Sequence, residues 1–330
     1  MLKSMHMSTS TIKKIMQAMV ITNYGGTEVF KSSEMPIPKP QGKEVLIKVF
    51  ATSVNPVDCK IRKGMISTGV NPPQILGFDV SGVIEEIGDK VTDFKVGDEV
   101  YYLPRIIGWQ GAYAEYHLVE ESIIAKKPSN LSHTEAASIP LAGCTAWDAL
   151  IERMKIKPGE TVLIHAGAGG VGSLAIQLAK ICGAYVFTTC SSKNHDLVKK
   201  LGADRGIDYK QDDFVKVILN ETNDEGVNAV FDTVGGDVFT KSLDVIKPFG
   251  RIASIVRVPA QIEKAFFKNI DIHPVFVQSG RHKLDMIRTL IERGQLKPVI
   301  DSVMPLSDVI KAHEKIEAGG VRGKIVLEVK

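Results

Sequence analysis

The sequence predicts an α/β protein in two parts, a doubly wound parallel-sheet domain and a β-rich domain that the C-terminal segment returns to complete. Three observations predict it. Beyond "KPGE" (157–160), apolar strand-like runs alternate with helical patterns, the mark of a parallel sheet covered on both faces. Before about Leu131 the runs are short, strand-like and punctuated by Gly, Pro and Asp. The last strand-like run, "GKIVLEV" (323–329), stands too far along the chain to be a simple continuation of the parallel sheet.

Taken in order, "MLKSMHMSTSTIKKI" lacks an apolar stretch of signal-peptide length, and residues 1–16 are read as a mostly disordered tail. Residues 17–138 form the first part of the β-rich domain, with strands expected at "AMVITNY", "EVLIKVFATSV", "VSGVIEEIG", "DEVYYL", "AYAEYHLV" and "SIIAKKP". Around His133 the pattern turns helical in "TEAASIPLAGCTAWDALIERM", with a bend expected at Pro140. Residues 139–282 carry the alternation "TVLIHA", "GSLAIQLAKICG", "YVFTTC", "NHDLVKKLG", "GIDY", "DDFVKVILNET" and "VNAVFDTV", extended by "GRIASIV" and "IDIHPVFVQ". Residues 283–330 are the return segment.

Bulk properties exclude several functions. The 330 residues suffice for two domains, and 44% hydrophobic content argues against global disorder. Forty-one basic and 38 acidic residues give a net charge of only +3, spread without a long basic run, so no nucleic-acid footprint is indicated. No window approaches the roughly 18 apolar residues of a membrane span. Cys59, Cys144, Cys182 and Cys190 are scattered with no CxxC pair, which fits reduced thiols in the cytoplasm.

The most informative stretch is "HAGAGGVGSLAIQLAK" (165–180). Gly167, Gly169 and Gly172 form G-x-G-x-x-G between an apolar strand and an apolar-periodic helix. In that setting the glycines serve a tight turn, a close backbone approach to a pyrophosphate and close helix-to-strand packing. Gly167, Ala168, Gly169, Gly170, Val171 and Gly172 are therefore expected to hold a dinucleotide. A cofactor without a 2′-phosphate commonly meets Asp or Glu about twenty residues later. Here "CSSKN" stands instead: Ser191 and Ser192 offer hydroxyls, Lys193 a positive charge, and this stretch has no carboxylate to repel a phosphate. NADPH is expected over NADH.

With these residues in hand, the chain resembles the medium-chain dehydrogenase/reductase superfamily, and within it the zinc-free quinone oxidoreductase and enone reductase branch. The resemblance rests on "SVNPVDCKIRKG" (53–64), "LGFDVSGVIEEIGDKVTDFKVGDEV" (76–100), "AASIPLAGCTAWDAL" (136–150), "GETVLIHAGAGGVGSLAIQLAK" (159–180) and "GADRGIDY" (202–209). It implies a Rossmann nucleotide domain, a GroES-like β-rich domain and a homodimer. Zinc-dependent relatives carry a ligand histidine in a "GHE" triplet; here the triplet reads Gly77-Phe78-Asp79, and a phenyl ring binds no zinc. The family cysteine is also replaced in "VNPVD", and residues 91–113 contain no cysteine. Cys144 falls out of register for a ligand and reads as a small buried apolar residue. No metal site is expected.

The resemblance also implies site residues. Asn55 is expected near the nicotinamide, with Asp58 and Lys60 on the same wall; Lys60 would stabilise developing negative charge, although many relatives have tyrosine there. Thr145 is implied beside the nicotinamide and Tyr209 at the adenosine phosphate. Asp232, Thr233 and Val234 would border the cofactor at the carboxyl edge of the sheet, joined by Phe276, Val277, Arg322 and Lys324. The expected activity is NADPH-dependent hydride transfer to a quinone or α,β-unsaturated carbonyl. The alternatives are a non-catalytic NADPH-binding, redox-sensing protein and, more remotely, a zinc alcohol dehydrogenase. Fold alone does not choose the acceptor.

Overall fold

The structure, a computed structural model, describes residues 15–329. The expected tail lies outside the described residues up to position 14. At its end the expectation is corrected: Ile15 and Met16 open a strand, Ile15–Ile21, because Met16 is buried and pairs with Met35 of the strand Phe30–Pro36. That second strand, "FKSSEMP", has too polar a sequence to be recognised from pattern.

A six-stranded, all-parallel sheet forms the nucleotide half. Across it the strands run Arg205–Asp208, Tyr185–Cys190, Thr161–Ile164, Val227–Asp232, Ile246–Ser254 and Asp271–Pro274. Numbered along the chain this is the order 3-2-1-4-5-6 of a dinucleotide fold, with the switch beside Thr161–Ile164. Val162, Leu163 and Ile164 are all fully buried, as a parallel strand covered on both faces requires.

The β-rich half centres on a seven-stranded sheet built around the long strand Glu44–Val54, which pairs with Val80–Ile87 on one edge. The C-terminal strand Lys324–Glu328 returns antiparallel to it, and the return is what builds the site. Ile325 faces Val54 in register, so Lys324 comes to rest against Asn55. One residue earlier, Gly323 bridges to Gly169 of the glycine-rich turn, its N–H donating to the Ala168 carbonyl at 2.8 Å. The β-rich half thereby touches the nucleotide turn directly.

Pro140 does not bend a continuous helix. It occupies the first turn of a separate helix, Pro140–Trp147, where its missing N–H costs nothing, after the short helix His133–Ala136 has ended. Among the described residues, no helix is long and apolar enough to cross a membrane.

Candidate active site

A cleft of about 390 Å³ opens between the two sheets. Part of its lining is apolar, with Val57, Ile66 and Ile106 from the β-rich half and Val256 and Val275 from the nucleotide half. Of the expected residues, Asn55, Lys60, Thr145, Gly169, Gly170, Val171, Gly172, Thr233, Phe276, Val277 and Lys324 line it.

The glycine-rich turn fits a dinucleotide. A side chain at Gly172 would put its Cβ 2.3 Å from the Ala166 carbonyl oxygen, so the helix Gly170–Ile181 can pack this closely on the turn only with glycine there. Gly169, by contrast, meets nothing closer than 3.3 Å. Its half-buried backbone leaves room for an approaching phosphate, and the first N–H groups of the helix lack intrahelical partners. Gly167 and Ala168 do not line the cleft. Gly167 packs on Thr188 beneath the turn, and Ala168 serves through its carbonyl bond to Gly323.

At the inner end stands a polar cluster that pattern reading missed. Asp79 is fully buried; one carboxylate oxygen accepts from Ser53 Oγ (2.5 Å), Asn55 Nδ2 (2.8 Å) and Lys324 Nζ (3.1 Å), the other from the Leu141 N–H (2.6 Å). Lys324 Nζ also donates to Asn55 Oδ1. The signal in the sequence was a lone charge inside the apolar run "QILGFDVSGVI", since a carboxylate is buried only when it is paired. Phe78 beside it is fully buried, and so is Cys144, whose thiol burial pushes up to about 12.

Asp58 departs from expectation. It does not line the wall with Lys60 but lies buried beneath it, accepting from the Asn55 N–H (2.8 Å) and the Gly77 N–H (3.0 Å). It is the third residue of the helix Pro56–Arg62, which its carboxylate caps. Burial raises its carboxyl to about 7 against those two N–H bonds. Its role is to fix the backbone of Asn55. Lys60, half-buried on the same helix, lines the cleft and makes no salt bridge among the described residues.

Asp232 is likewise corrected. Its buried carboxylate turns back to the Val234 and Gly235 N–H groups (3.0 and 2.8 Å) and to Ser254 Oγ (2.7 Å), shaping the loop instead of facing the cleft. Val234 is exposed off the cleft, and Arg322 is exposed with its N–H on Asp301. Thr145 lines the cleft, but its hydroxyl donates to the Leu141 carbonyl at 2.7 Å, which leaves it only as an acceptor. His165 is buried between Thr189 and Ser242, and burial lowers its imidazole to about 4, so it stays neutral and structural.

The outer end is looser. Lys193 is exposed, with its ammonium 3.9 Å from where a side chain on Gly320 would begin, so it stands over the glycine loop of the return segment. Ser191 is buried and accepts from Asn194 Nδ2 at 3.2 Å, while Asn194 Oδ1 is buried without a hydrogen-bond partner among the described residues. Tyr209 is 59% exposed. A carboxylate is present here after all. Asp208, at the end of the neighbouring strand, is held below the usual carboxylate range, first by the Lys210 N–H at 3.0 Å and then by the nearby Ser192. None of Ser191, Ser192, Lys193 and Tyr209 lines the inner cleft.

Fold and site together define a nucleotide-dependent oxidoreductase, with a dinucleotide turn facing an apolar pocket across a domain boundary. Residues 41–129 match the alcohol dehydrogenase GroES-like domain and residues 201–327 the zinc-binding dehydrogenase domain. The chain is 38% identical to a 2-methylene-furan-3-one reductase of Solanum lycopersicum, over 97% of this chain and 81% of that protein. It is 36% identical to a chloroplastic NADPH-dependent alkenal/one oxidoreductase of Arabidopsis thaliana, over 96% and 81% respectively. Among solved structures, the quinone oxidoreductase of Coxiella burnetii superposes with a TM-score of 0.89 at 38% identity, covering 96% of this chain and all of that one. The chain belongs to the medium-chain dehydrogenase/reductase superfamily. It is an oxidoreductase that uses a nicotinamide cofactor.

Proposed function

We propose that the protein is a zinc-independent, NADPH-dependent reductase of quinones or α,β-unsaturated carbonyls. The observation that carries this reading is the makeup of the inner cleft: an apolar wall beside two lysines, Lys60 and Lys324, with two buried carboxylates beneath it, Asp79 already bonded by four donors and Asp58 by two backbone N–H groups. An ammonium paired with Asp79 repels a dication, and Phe78 offers no ligand atom. Among the described residues, no three His, Cys, Asp or Glu side chains gather as a metal site.

Reduction of an activated double bond suits this setting. A reduced nicotinamide cofactor held over the turn at residues 169–172 would supply a hydride for the acceptor carbon. Charge then develops on the acceptor oxygen, where it is delocalised as an enolate or hydroquinone anion and needs less help than an alkoxide. The Lys60 ammonium stabilises that oxygen beside the apolar side chains of Val57, Ile66 and Ile106, and its partial exposure limits the strength of the interaction. A proton from solvent completes the product. Lys193 and Ser191 are assigned to the 2′-phosphate, in keeping with the NADPH dependence named for the Arabidopsis relative.

The test is a panel of quinones, alkenals and enones assayed by NADPH consumption, with NADH as control and with chelator added. Turnover with at least one acceptor, faster with NADPH and indifferent to chelation, is the expected result. Tight NADPH binding with no turnover on any acceptor would favour the non-catalytic, redox-sensing reading, and stoichiometric zinc would overturn metal independence. A cytoplasmic homodimer belongs to the same reading and is checked by sedimentation and cell fractionation.

A further inference from the structure

We propose that Asp79 is the positioning residue of the reducing site: it fixes which way the Asn55 carboxamide faces and holds the Lys324 ammonium at the cleft wall. Asp79 does not line the cleft and so touches neither cofactor nor acceptor. It acts through the two residues that do. This rests on the reading of the cleft as a nicotinamide site.

The argument is one of donor and acceptor identity. An ionised carboxylate only accepts hydrogen bonds and an ammonium only donates them. Asn55 is bonded to both, to Asp79 through Nδ2 and to Lys324 through Oδ1. The amide therefore has one permitted orientation; flipped, it would set its NH₂ against an ammonium and its oxygen against a carboxylate. What remains for the cleft is one N–H and one carbonyl lone pair in a fixed arrangement. Lys324 has spent two of its three protons on Asn55 and Asp79, which leaves the third for a ligand.

The carboxylate is itself over-determined. Four donors occupy its two oxygens, and they come from separate parts of the chain: Ser53 and Asn55 around the end of a β-rich strand, Leu141 at the start of a nucleotide-half helix, and Lys324 on the returning strand. Lys324 has no other salt bridge among the described residues, and the only other acid acting on this cluster is Asp58, which is committed to the Asn55 and Gly77 N–H groups. Removing the Asp79 charge leaves a buried ammonium unpaired and the Asn55 amide free to turn. The turn, the wall and the return strand lose their common reference point.

The experiment compares wild type with Asp79→Asn, which keeps the shape and removes the charge, and with Asp79→Glu, which keeps the charge. Dissociation constants for NADPH and NADH are measured by fluorescence titration, and kcat and KM are measured with the best quinone. Asp79→Asn is expected to weaken both cofactors by the same factor, about 10- to 100-fold, because the disturbed end is remote from the 2′-phosphate. Its kcat should fall as well, with Asp79→Glu recovering part of the loss. A merely structural role would instead lower the melting temperature and leave affinity per folded molecule unchanged. Should Asp79→Asn not fold, Ser53→Ala removes one donor and retains the ion pair, with an expected threefold or larger rise in the NADPH dissociation constant, on the scale of one lost hydrogen bond at about 1 kcal/mol. Wild-type affinity and turnover in Asp79→Asn, or wild-type affinity in Ser53→Ala, would overturn the role of Asp79. Failure of the wild-type protein to bind either nucleotide would overturn the underlying reading of the cleft.

Discussion

The two ends of the cleft are built on different plans. At the outer end Ser191, Ser192 and Lys193 follow one strand; Ser191 meets Asn194 three residues on, and Lys193 stands exposed over the Gly320 loop. The inner end joins Asn55 to Lys324 across 269 residues, with Asp79 and Leu141 tied in and almost all of the cluster buried. The outer end is held by solvent-weakened charges and can change partner at little cost. The inner end is a closed network in which each member's orientation depends on the others. The proposed function puts catalytic geometry at the rigid end and cofactor choice at the loose one.

Lys60 breaks that contrast most sharply, since it stands at the inner end yet is free of the network. Lys60→Ala is expected to lower kcat by about 100-fold, the lower end of the range for losing one charge-stabilising donor, because water already screens a half-buried ammonium. Affinity for NADPH should change little, and enones should suffer more than quinones, whose reduced anions are aromatic. Unchanged rates on both acceptor classes would return Lys60 to a surface cation and leave Lys324 as the only charge acting there.

The outer end is tested by replacing Ser191 and Lys193 together with alanine. The KM for NADPH should rise about 30-fold, the product of one buried hydroxyl contact and one solvent-weakened charge, while NADH is nearly untouched. Equal effects on both cofactors would move the 2′-phosphate away from this pocket. The nearby Asp208 sharpens the question, since Asp208→Asn should leave NADPH affinity the same or improve it.

What the sequence made legible follows the same division. The parallel sheet, the glycine-rich turn and the replacement of the ligand histidine by Phe78 are local patterns, readable within about twenty residues. The role of Asp79 was not readable, because its partners lie 26, 24, 62 and 245 residues away and become neighbours only through the register of Ile325 on Val54. Asp58 and Asp232 were misplaced for a related reason. Each sits one or two positions from a residue that does line the cleft, and only the backbone geometry shows that its carboxylate turns inward to cap N–H groups. The strand Phe30–Pro36 is polar along most of its length, so pairing and not hydrophobic alternation defines it.

The smallest expected effect concerns pH and again separates the two ends. Burial raises Asp58 to about 7, above its ordinary 3.8, so in the folded protein it keeps its proton where the unfolded chain has released one. The stability this contributes is fully present below pH 3.8 and is lost as pH rises to about 7. Buried histidines act in the opposite sense. Burial lowers His117 and His165 to about 4 and His313 to about 3, so their contribution is present above pH 6.5 and is lost on acidification. Between pH 4.5 and 6.5 the three histidines outnumber the one aspartate, and the wild-type protein should gain stability with rising pH. Asp58→Asn removes the opposing term, so its stability should rise more steeply, by up to one proton or about 1.4 kcal/mol per pH unit. Denaturant unfolding of both proteins at three pH values in that window measures the difference, and the gap between them should close as pH increases. A gap independent of pH would mean that Asp58 stays ionised throughout, with the Asn55 and Gly77 N–H bonds outweighing its burial. The exposed Lys193 gives the internal control, since its replacement by alanine should leave the slope of stability against pH unchanged.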